Sequence, residues 1–352
     1  MLPEWAPNWH PLIVHFPVVL PVAAVLVDAL ALAARRFGWL PAAVTAAYLL
    51  AALAAWAAYL SGRQAADGVL VPAAANPLLT EHEDWAERTV WFFAVLALVR
   101  IGVHWKRPAA PVALRLALLL AGVAGTLLLY QTGERGAQLV FRHGVGVAAA
   151  APAQAEAETH DHAHHEGAGP VPATGVRGAS RDTAAGPRHL PWYGTGWQGA
   201  SPAMVHDAAA GDVLAIRPEA GGALFAGGDA IGDVQADVRV DLDELQGEVR
   251  IVHHLQDPAN YHFLSLGQGA VRLGLVRQGE VTLQDSGAHA QSGWLTARVV
   301  SDGTHFRGYV DDRLVVHGHG QEPSPGRVGL RVEGQGEVRV ASMSVTALKE
   351  RP

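Results

Sequence analysis

Four long apolar segments in the first third of the chain constrain its fold more than any other feature. They run roughly from Leu12 to Ala34, Leu40 to Leu60, Ala86 to Trp105 and Val112 to Gln131. A helix needs about 20 mostly apolar residues to cross the hydrocarbon core of a bilayer. Because short polar turns join the segments, we predict an all-α bundle of four transmembrane helices rather than a soluble helical core.

The basic residues of the short loops predict the orientation of this bundle. Arg35 and Arg36 lie between the first two segments, and Lys106, Arg107 and Arg115 flank the turn between the last two. Loops rich in Lys and Arg stay in the cytoplasm. We therefore predict a multi-pass protein of the bacterial cytoplasmic (inner) membrane with both termini outside. The N-terminus has neither the basic region nor the cleavage site of a signal peptide, so we expect the first segment to remain in the protein.

Two charged residues, Asp28 and Arg100, interrupt the apolar segments. At ~1.5 Å of rise per residue they lie at comparable depths from the predicted outer face. An unpaired charge at such a depth costs several kcal/mol. We predict a structural ion pair between them that fixes helix packing. The alternative is that each side chain extends separately to the cytoplasmic surface.

Histidines gather near the predicted outer ends of the helices. The four are His10, His15, His82 and His143. His15 lies one turn inside the first helix, and the prolines that follow it free backbone carbonyls. A membrane tolerates such carbonyls only where neighbours, water or a ligand satisfy them. We predict that the four histidines together ligate a cofactor, although each of them taken alone is compatible with an interfacial position.

Two further patterns place the third and fourth of these histidines. The sequence TEHE predicts a capping box, in which Thr80 is the N-cap and Glu83 follows three residues later. His82 is then in the first turn of the third helix. The stretch LVFRHGVGV after the fourth helix is predicted to lie along the outer interface and to bring His143 to the same level.

The motif HPLIVHFPVVL, the acidic start of the third helix and the closing LVFRHGVGV resemble an uncharacterised bacterial four-helix membrane-domain family of unknown function. The resemblance covers roughly Trp9 to Val147. It implies the four-helix topology. It also implies that such domains are often joined to extracytoplasmic redox or binding modules. The paired histidines of the resembled family suggest b-type haem as a ligand.

Haem b and a transition metal are both compatible with these histidines. Haem b needs one or two neutral imidazoles and an apolar slot, which a helix bundle provides. We expect His15 with His143 or His82 as the axial pair, passing electrons to an extracytoplasmic redox protein. The alternative is Zn²⁺ or Cu²⁺ held by three or four of the same histidines, with Glu81 or Glu83. The chain contains no Cys, which excludes thiolate metal sites and covalently attached c-type haem.

A stretch rich in Ala, Gly and Pro, residues 148–189, separates the helical region (1–147) from the rest. It has no apolar periodicity and is predicted to be a disordered linker. Short His-rich tracts bind transition metals loosely, so its THDHAHHEG segment is a weak metal-site candidate. A solvated spacer is the alternative. The histidines of the tract are His160, His162, His164 and His165.

Short segments of alternating apolar and polar residues fill the last part of the chain, 190–349. Examples are VQADVRVDL, YHFLSL and RVGLRV. Alternation with a period of two, broken by turns such as SDGT, predicts an antiparallel β sandwich of ten or more strands. The expected architecture is therefore a multi-domain chain, with an all-β antiparallel sandwich after the transmembrane bundle.

Three stretches, HHLQDPANYHFLSL, GWLTARVVSDGTHFRGYVDDRLVVHG and GRVGLRVEGQGEVRVASMSV, resemble concanavalin A-like jelly-roll domains. These include the laminin G-like and 3-keto-disaccharide hydrolase-like groups, and the resemblance spans about Asp212 to Leu348. Glycoside hydrolysis commonly needs two carboxyl groups ~5–10 Å apart, and we identify no such pair, which leaves enzyme activity open. His253, His254 and His262 with Tyr261 are candidates for a sugar-stacking surface. The preferred alternative is that they occupy solvent-facing strand positions.

These features predict an integral membrane protein with a histidine site at its outer face for b-type haem and electron transfer. Its extracytoplasmic β domain is expected to bind a partner protein or an envelope glycan. The alternatives are a non-redox anchor for a carbohydrate- or protein-binding domain, a Zn- or Cu-binding membrane protein and, third, a glycan-modifying enzyme. A net charge of −7 without a basic cluster argues against nucleic acid as a partner.

Overall fold

The structure is a computed structural model that describes residues 8–34, 36–66, 68–69, 71–106, 110–147, 188–189, 196–290 and 292–348. Its N-terminal part is helical, and its C-terminal part consists of two packed antiparallel sheets. The predicted combination of a helical membrane region and a β sandwich is therefore confirmed. The predicted linker and its four histidines lie outside the described residues, except for 188–189.

The helical part has five helices in the described residues. They are α1 (His10–Ile13), α2 (His15–Ala33), α3 (Leu40–Ala66), α4 (Asn76–Lys106) and α5 (Val112–His143), and a short 3₁₀ turn, Ala73–Ala75, precedes α4. Three helical stretches are long and apolar enough to cross a membrane: His10–Ala33, Leu40–Ala66 and Val112–His143. Helix α4 contains the third predicted span but is not among these three. Its charged first half contacts the β sandwich instead.

Two predicted helix boundaries are wrong. Helix α4 begins at Asn76, one turn earlier than the TEHE sequence predicts, so Thr80 is inside the helix and is not its N-cap. Helix α5 continues to His143 instead of ending near Gln131. Gly144 ends it in the left-handed conformation with φ of 66°, and the Val145 N–H donates to the Leu139 carbonyl. The Gly144 N–H also donates to the Val140 carbonyl, which is the bond of an αL-type helix end. The LVFR part of the closing motif therefore belongs to the helix.

The helices pack around a small apolar core that includes Tyr48 and Phe93. Helix α5 approaches this core through glycine. A Cβ atom built on Gly122 lies 1.9 Å from the Tyr48 hydroxyl oxygen, so no side chain fits at position 122 without movement of the tyrosine. The same helix carries Gly133 where a Cβ meets nothing within 4 Å. Close packing in α5 is therefore confined to particular turns.

The sandwich contains fifteen strands in the described residues. They are β1 (Arg188–His189), β2 (Trp197–Gln198), β3 (Ala203–Asp207), β4 (Gly211–Ile216), β5 (Ala223–Ile231), β6 (Val234–Asp241), β7 (Leu245–Asp257), β8 (Asn260–Gly267), β9 (Ala270–Arg277), β10 (Glu280–Ala288), β11 (Trp294–Asp302), β12 (His305–Val310), β13 (Arg313–His319), β14 (Gly326–Gly336) and β15 (Val338–Ala347).

These strands form two sheets. The first has the order β13-β12-β11-β6-β15-β4-β3, with β1 also paired to β15, and the second has the order β10-β9-β8-β7-β14-β5-β2. Alternate residues of each strand point inward and bury a core that includes Leu264, Leu273, Phe306 and Met343. The non-sequential neighbours, such as β14 between β7 and β5, are those of a jelly-roll-like sandwich.

Candidate functional site

The structure brings two of the four outer helical histidines together. His10 and His82 interact electrostatically. The His10 Nδ1 atom lies 3.1 Å from the Ser61 hydroxyl oxygen. His82 Nδ1 donates to the Thr132 carbonyl oxygen at 3.0 Å. That bond leaves His82 Nε2 as the unprotonated nitrogen in a neutral ring, which is the state that ligates haem or a metal.

The other two outer histidines are placed differently. His15 is exposed on α2, and His143 is the half-buried last residue of α5. The expected axial pairs, His15 with His143 or His82, differ from His10 and His82, the two outer histidines that interact electrostatically. Glu81, an alternative metal ligand, forms an ion pair with Arg135 at 3.0 Å. Ligation of haem b, Zn²⁺ or Cu²⁺ by this group stays a prediction.

Asp28 and Arg100 form a buried ion pair between α2 and α4, with 6% of each side chain exposed. The Arg100 guanidinium also lies over the Tyr48 ring, 3.9 Å from its centroid. A cation–π contact of this kind is stronger when it is desolvated. The pair therefore links three helices, because Tyr48 belongs to α3.

A cavity of ≈480 Å³ lies in the β sandwich beside strands β7 to β10 and the segment 320–324. The imidazoles of His254 and His262 line it together with polar side chains from neighbouring strands. Its other polar and charged side chains include those of Asn260, Arg277, Gln284 and Glu322. Ligand sites of proteins are concave and combine apolar walls with a few convergent polar groups. This cavity has that composition.

Local irregularity in β7 positions the histidines. The pairing of β7 with β8 shifts register after His253, and His254 adopts a positive φ of 51°. A bulge of this kind re-aims side chains. His254 Nε2 donates to the Gly232 carbonyl oxygen at 2.8 Å, and the His253 and His254 Nδ1 atoms are 2.7 Å apart. The ring of His262 stacks on Phe306, with centroids 5.3 Å apart.

The preferred interpretation, that these histidines occupy solvent-facing positions, is wrong for His253 and His254, which are buried, and His262 is half-buried. His253 is 0% exposed and His254 is 3% exposed. Tyr261 is buried among Val252 and Phe263, and its hydroxyl accepts a hydrogen bond from Arg250. His253 shares the inward face of β7 with Ile251, two residues earlier. The alternation did not reveal the burial of His254, because the bulge there changes which side of the strand this residue faces.

The cavity histidines are neutral imidazoles at neutral pH. Burial, reinforced by His254 and Arg277, lowers the pKa of His262 to about 4. Burial also lowers the pKa of His254, although its hydrogen bond to Gly232 opposes the shift. In addition, His262 Nδ1 and Gln284 Oε1 are buried without a hydrogen-bond partner among the described residues. The cavity thus combines neutral rings with unused hydrogen-bonding capacity.

A second histidine cluster, which we call the junction cluster, lies on the outer face of the first sheet. It consists of His305 on β12 and of His317 and His319 on β13. One nitrogen from each ring lies within 4.8 Å of the others. The start of α4 covers this face: Asp84 Oδ1 is 3.2 Å from His305 Nε2, and Glu83 Oε2 is 3.3 Å from His305 Nδ1.

The junction cluster was not predicted from the sequence. A signal was present in the HGH sequence of an alternating segment, because residues i and i+2 of a strand share one face. The strand pairing that places His305 opposite His319, and the helix that covers them, could not be read from the sequence.

Comparisons with known proteins identify one family model and several similar solved structures. Residues 6–149 match the family model described as "Predicted membrane protein (DUF2231)", and no curated protein matches the chain. Among solved structures, the carbohydrate-binding module CBM66 from Bacillus subtilis is 16% identical, with a TM-score of 0.36, covering 44% of this chain and 96% of that chain.

Two further solved structures are similar to the sandwich. A Bacillus subtilis protein of unknown function with a galectin-like fold is 12% identical over 43% of this chain and 89% of that chain, with a TM-score of 0.36. A Bacillus licheniformis β-glucanase is 13% identical over 47% of this chain and 99% of that chain, with a TM-score of 0.35. These likenesses concern the fold alone.

Proposed function

We propose that this protein holds a saccharide-binding β sandwich at the outer surface of the bacterial cytoplasmic membrane. The observation that carries the proposal is the cavity beside β7 to β10, where neutral imidazoles and unpartnered polar atoms meet in ≈480 Å³. The helical region supplies the membrane attachment. The cavity supplies the binding site, and its ligand is a neutral glycan of the cell envelope.

Neutral hydroxyl groups match the chemistry of the cavity better than charged groups do. A neutral imidazole carries one donor and one acceptor, and an amide carries both as well. A sugar hydroxyl is also both donor and acceptor. It can therefore satisfy His262 Nδ1 or Gln284 Oε1 after a small rotation of those side chains, and an anion cannot donate to either. Satisfying a buried unpartnered polar atom is favourable because leaving it unpaired is costly.

The number of carboxyl groups in the cavity lining favours binding of a saccharide over its hydrolysis. Of the described residues that line the cavity, one is acidic, Glu322. Glycosidases of the common type use two carboxyl groups that flank the scissile bond. The lining therefore supports a lectin-like role.

The proposed orientation has both termini and the sandwich outside the cell. A small cavity of ≈70 Å³ is lined by Pro41, His104 and Arg115, so the ends of three helices meet where the basic loops lie. The positive-inside rule assigns this end to the cytoplasm. The sandwich contacts the first half of α4, at the opposite end of that helix from His104, which is the outer end in this orientation.

A glycan array probed with the detergent-solubilised full chain tests the binding proposal. We expect neutral oligosaccharides to be bound and anionic ones to be bound less well. The variants His262→Ala and Gln284→Ala should each weaken binding about 3–10-fold, the value of one neutral hydrogen bond. The control is His206→Ala, because His206 is exposed on β3. Binding that is absent for every glycan, or unchanged in both cavity variants, would refute the proposal.

A further inference from the structure

We infer that the junction cluster is a transition-metal site that binds Zn²⁺ through His305, His317 and His319, with Glu83 of α4 as the fourth ligand. Three imidazoles and one carboxylate are a ligand set that Zn²⁺ accepts in tetrahedral geometry. The metal ion then ties the β sandwich to the helical region. This site is separate from the saccharide cavity and does not depend on it.

Strand geometry presents the three imidazoles to one point. His317 and His319 are two residues apart on β13 and so share a face. His305 is the cross-strand partner of His319, and directly opposite residues have Cβ atoms about 4.5–5.5 Å apart. The ring centroids of His305 and His317 lie 4.5 Å and 4.7 Å from that of His319.

The hydrogen bond that His305 forms leaves its Nδ1 lone pair free to bind a cation beside Glu83. Its Nε2–H donates to Asp84 Oδ1 at 3.2 Å, so in the neutral ring Nδ1 is unprotonated. That nitrogen lies 3.3 Å from Glu83 Oε2, and it has no hydrogen-bond partner of good geometry among the described residues. The unprotonated His305 nitrogen and the Glu83 carboxylate oxygen repel each other, because both are electron-pair donors. A metal ion bound between them would accept an electron pair from each.

A second unused nitrogen points to the same conclusion. His317 Nε2 is buried and has no hydrogen-bond partner among the described residues. Zn–N bonds of about 2.0–2.1 Å in a tetrahedron separate ligand atoms by ~3.4 Å, and one nitrogen atom from each of the three histidines already lies within 4.8 Å of the other two. Small ring rotations therefore suffice to close the site.

The neighbours of the cluster act as a supporting layer. Asp84 holds His305 in one tautomer, as carboxylates commonly do for metal-bound histidine. Arg307 donates to Glu83 Oε2 at 2.7 Å and keeps this side chain against the sheet. The positive charge of Arg307 opposes a cation, and the two carboxylates of Glu83 and Asp84 offset it.

The test uses the full chain in detergent, with the four linker histidines replaced by Asn so that the His-rich tract binds no metal. We expect one equivalent of Zn²⁺ per chain by elemental analysis after dialysis. We also expect Co²⁺ to give the intense visible d–d bands of a tetrahedral site. His317→Ala and His319→Ala should abolish these bands. Glu83→Gln should lower Zn²⁺ affinity by at least ~10–100-fold, the cost typical even of an outer partner.

Two controls separate ligation from folding. His206→Ala removes an exposed histidine and should leave metal content unchanged. His319 is itself exposed, so His319→Ala should unfold at the temperature of the metal-free parent chain. The competing arrangement is a doubly protonated His305 held between Glu83 and Asp84 without metal. Absence of the Co²⁺ bands would favour that metal-free arrangement. Bands that survive in His319→Ala would place the metal at other ligands, and either result would overturn the inference.

Discussion

Arg307 of β12 donates a hydrogen bond to Glu83 of α4 across 2.7 Å, and the two residues are 224 positions apart in the chain. Both guanidinium NH₂ groups of Arg307 also donate to the Thr80 hydroxyl at 3.2 Å. The side chain of Arg307 is 1% exposed. A cation this deeply buried needs its counter-charge, so the pair is the electrostatic centre of the contact between the helical region and the sandwich.

Removal of the Glu83 charge should open this contact. We expect Glu83→Gln to weaken it by ~3–5 kcal/mol, because Arg307 is then a buried charge without its carboxylate. Hydrogen exchange should rise in β12 and in the first turns of α4. The double variant Glu83→Gln/Arg307→Met should recover most of the protection. An exchange pattern equal to that of the parent chain in Glu83→Gln would show that the pair does not hold the contact.

Acid should destabilise the sandwich through its buried histidines. Burial, with a contribution from its histidine neighbours, lowers the pKa of His253 well below 6.5, and the pKa of His262 falls to about 4. The folded state therefore binds fewer protons than the unfolded state between pH 6.5 and about 4. Stability is fully present above pH 6.5 and declines as the pH falls through that window, by at most ~1.4 kcal/mol per pH unit for each group.

Unfolding of the full chain followed at pH 7, 6 and 5 measures this decline. His262→Gln removes one of the titrating groups, so its stability should depend less steeply on pH than that of the parent chain. The exposed His206 again supplies the control, because its replacement by Ala should leave the slope unchanged. Equal slopes in the parent and His262→Gln would contradict the assignment.

Close packing of α5 against Tyr48 should make position 122 intolerant of side chains. Gly122→Ala places a methyl group 1.9 Å from the Tyr48 hydroxyl oxygen, and we expect a loss of ~1–3 kcal/mol from overpacking. Gly133→Ala is the matched control in the same helix, because its new Cβ meets nothing within 4 Å. Alanine also favours a helix over glycine by ~1 kcal/mol. In detergent, Gly133→Ala should therefore unfold at a higher temperature than the parent chain, and Gly122→Ala should unfold at a lower one.

Single cysteines can report the orientation, since the natural chain has none. We expect a membrane-impermeant maleimide to label Gly68→Cys and Ser201→Cys in intact spheroplasts and Gly38→Cys only after lysis. The two glycines tolerate the change, because a Cβ at either meets nothing within 4 Å. Labelling of Gly38→Cys in intact spheroplasts would reverse the proposed topology.

The cofactor prediction rests on His82, whose Nδ1 donates to the Thr132 carbonyl. We expect detergent-purified protein to show a Soret band and an α band after dithionite reduction, and His82→Ala to lose them. His104→Ala is the control, because His104 lies at the other end of α4. A colourless protein after growth with added haem precursor would contradict the prediction that haem b is bound.

The alternation of apolar and polar residues predicted the β sandwich, and the length of the apolar segments predicted the helical region. The strand around Val238 was predictable because apolar residues on its buried face alternate with Asp237 and Arg239 on the other face. The helix ends were not: Thr80 has the sequence of an N-cap, yet its hydroxyl accepts from Arg307 inside the helix. Local capping signals are worth only ~1 kcal/mol, and a tertiary contact of greater value can override them.

The sequence by itself determined that this protein has a helical membrane region, a β sandwich and no thiol chemistry, because segment length, period and composition depend only on neighbouring residues. The tertiary structure alone decided which groups meet. It placed His305 beside Glu83, and it turned the ring of His254 toward those of His253 and His262. The reason is physical: contacts between distant parts of the chain depend on strand order, on one bulge and on how α4 docks against the first sheet, and none of these is a property of a short stretch of sequence.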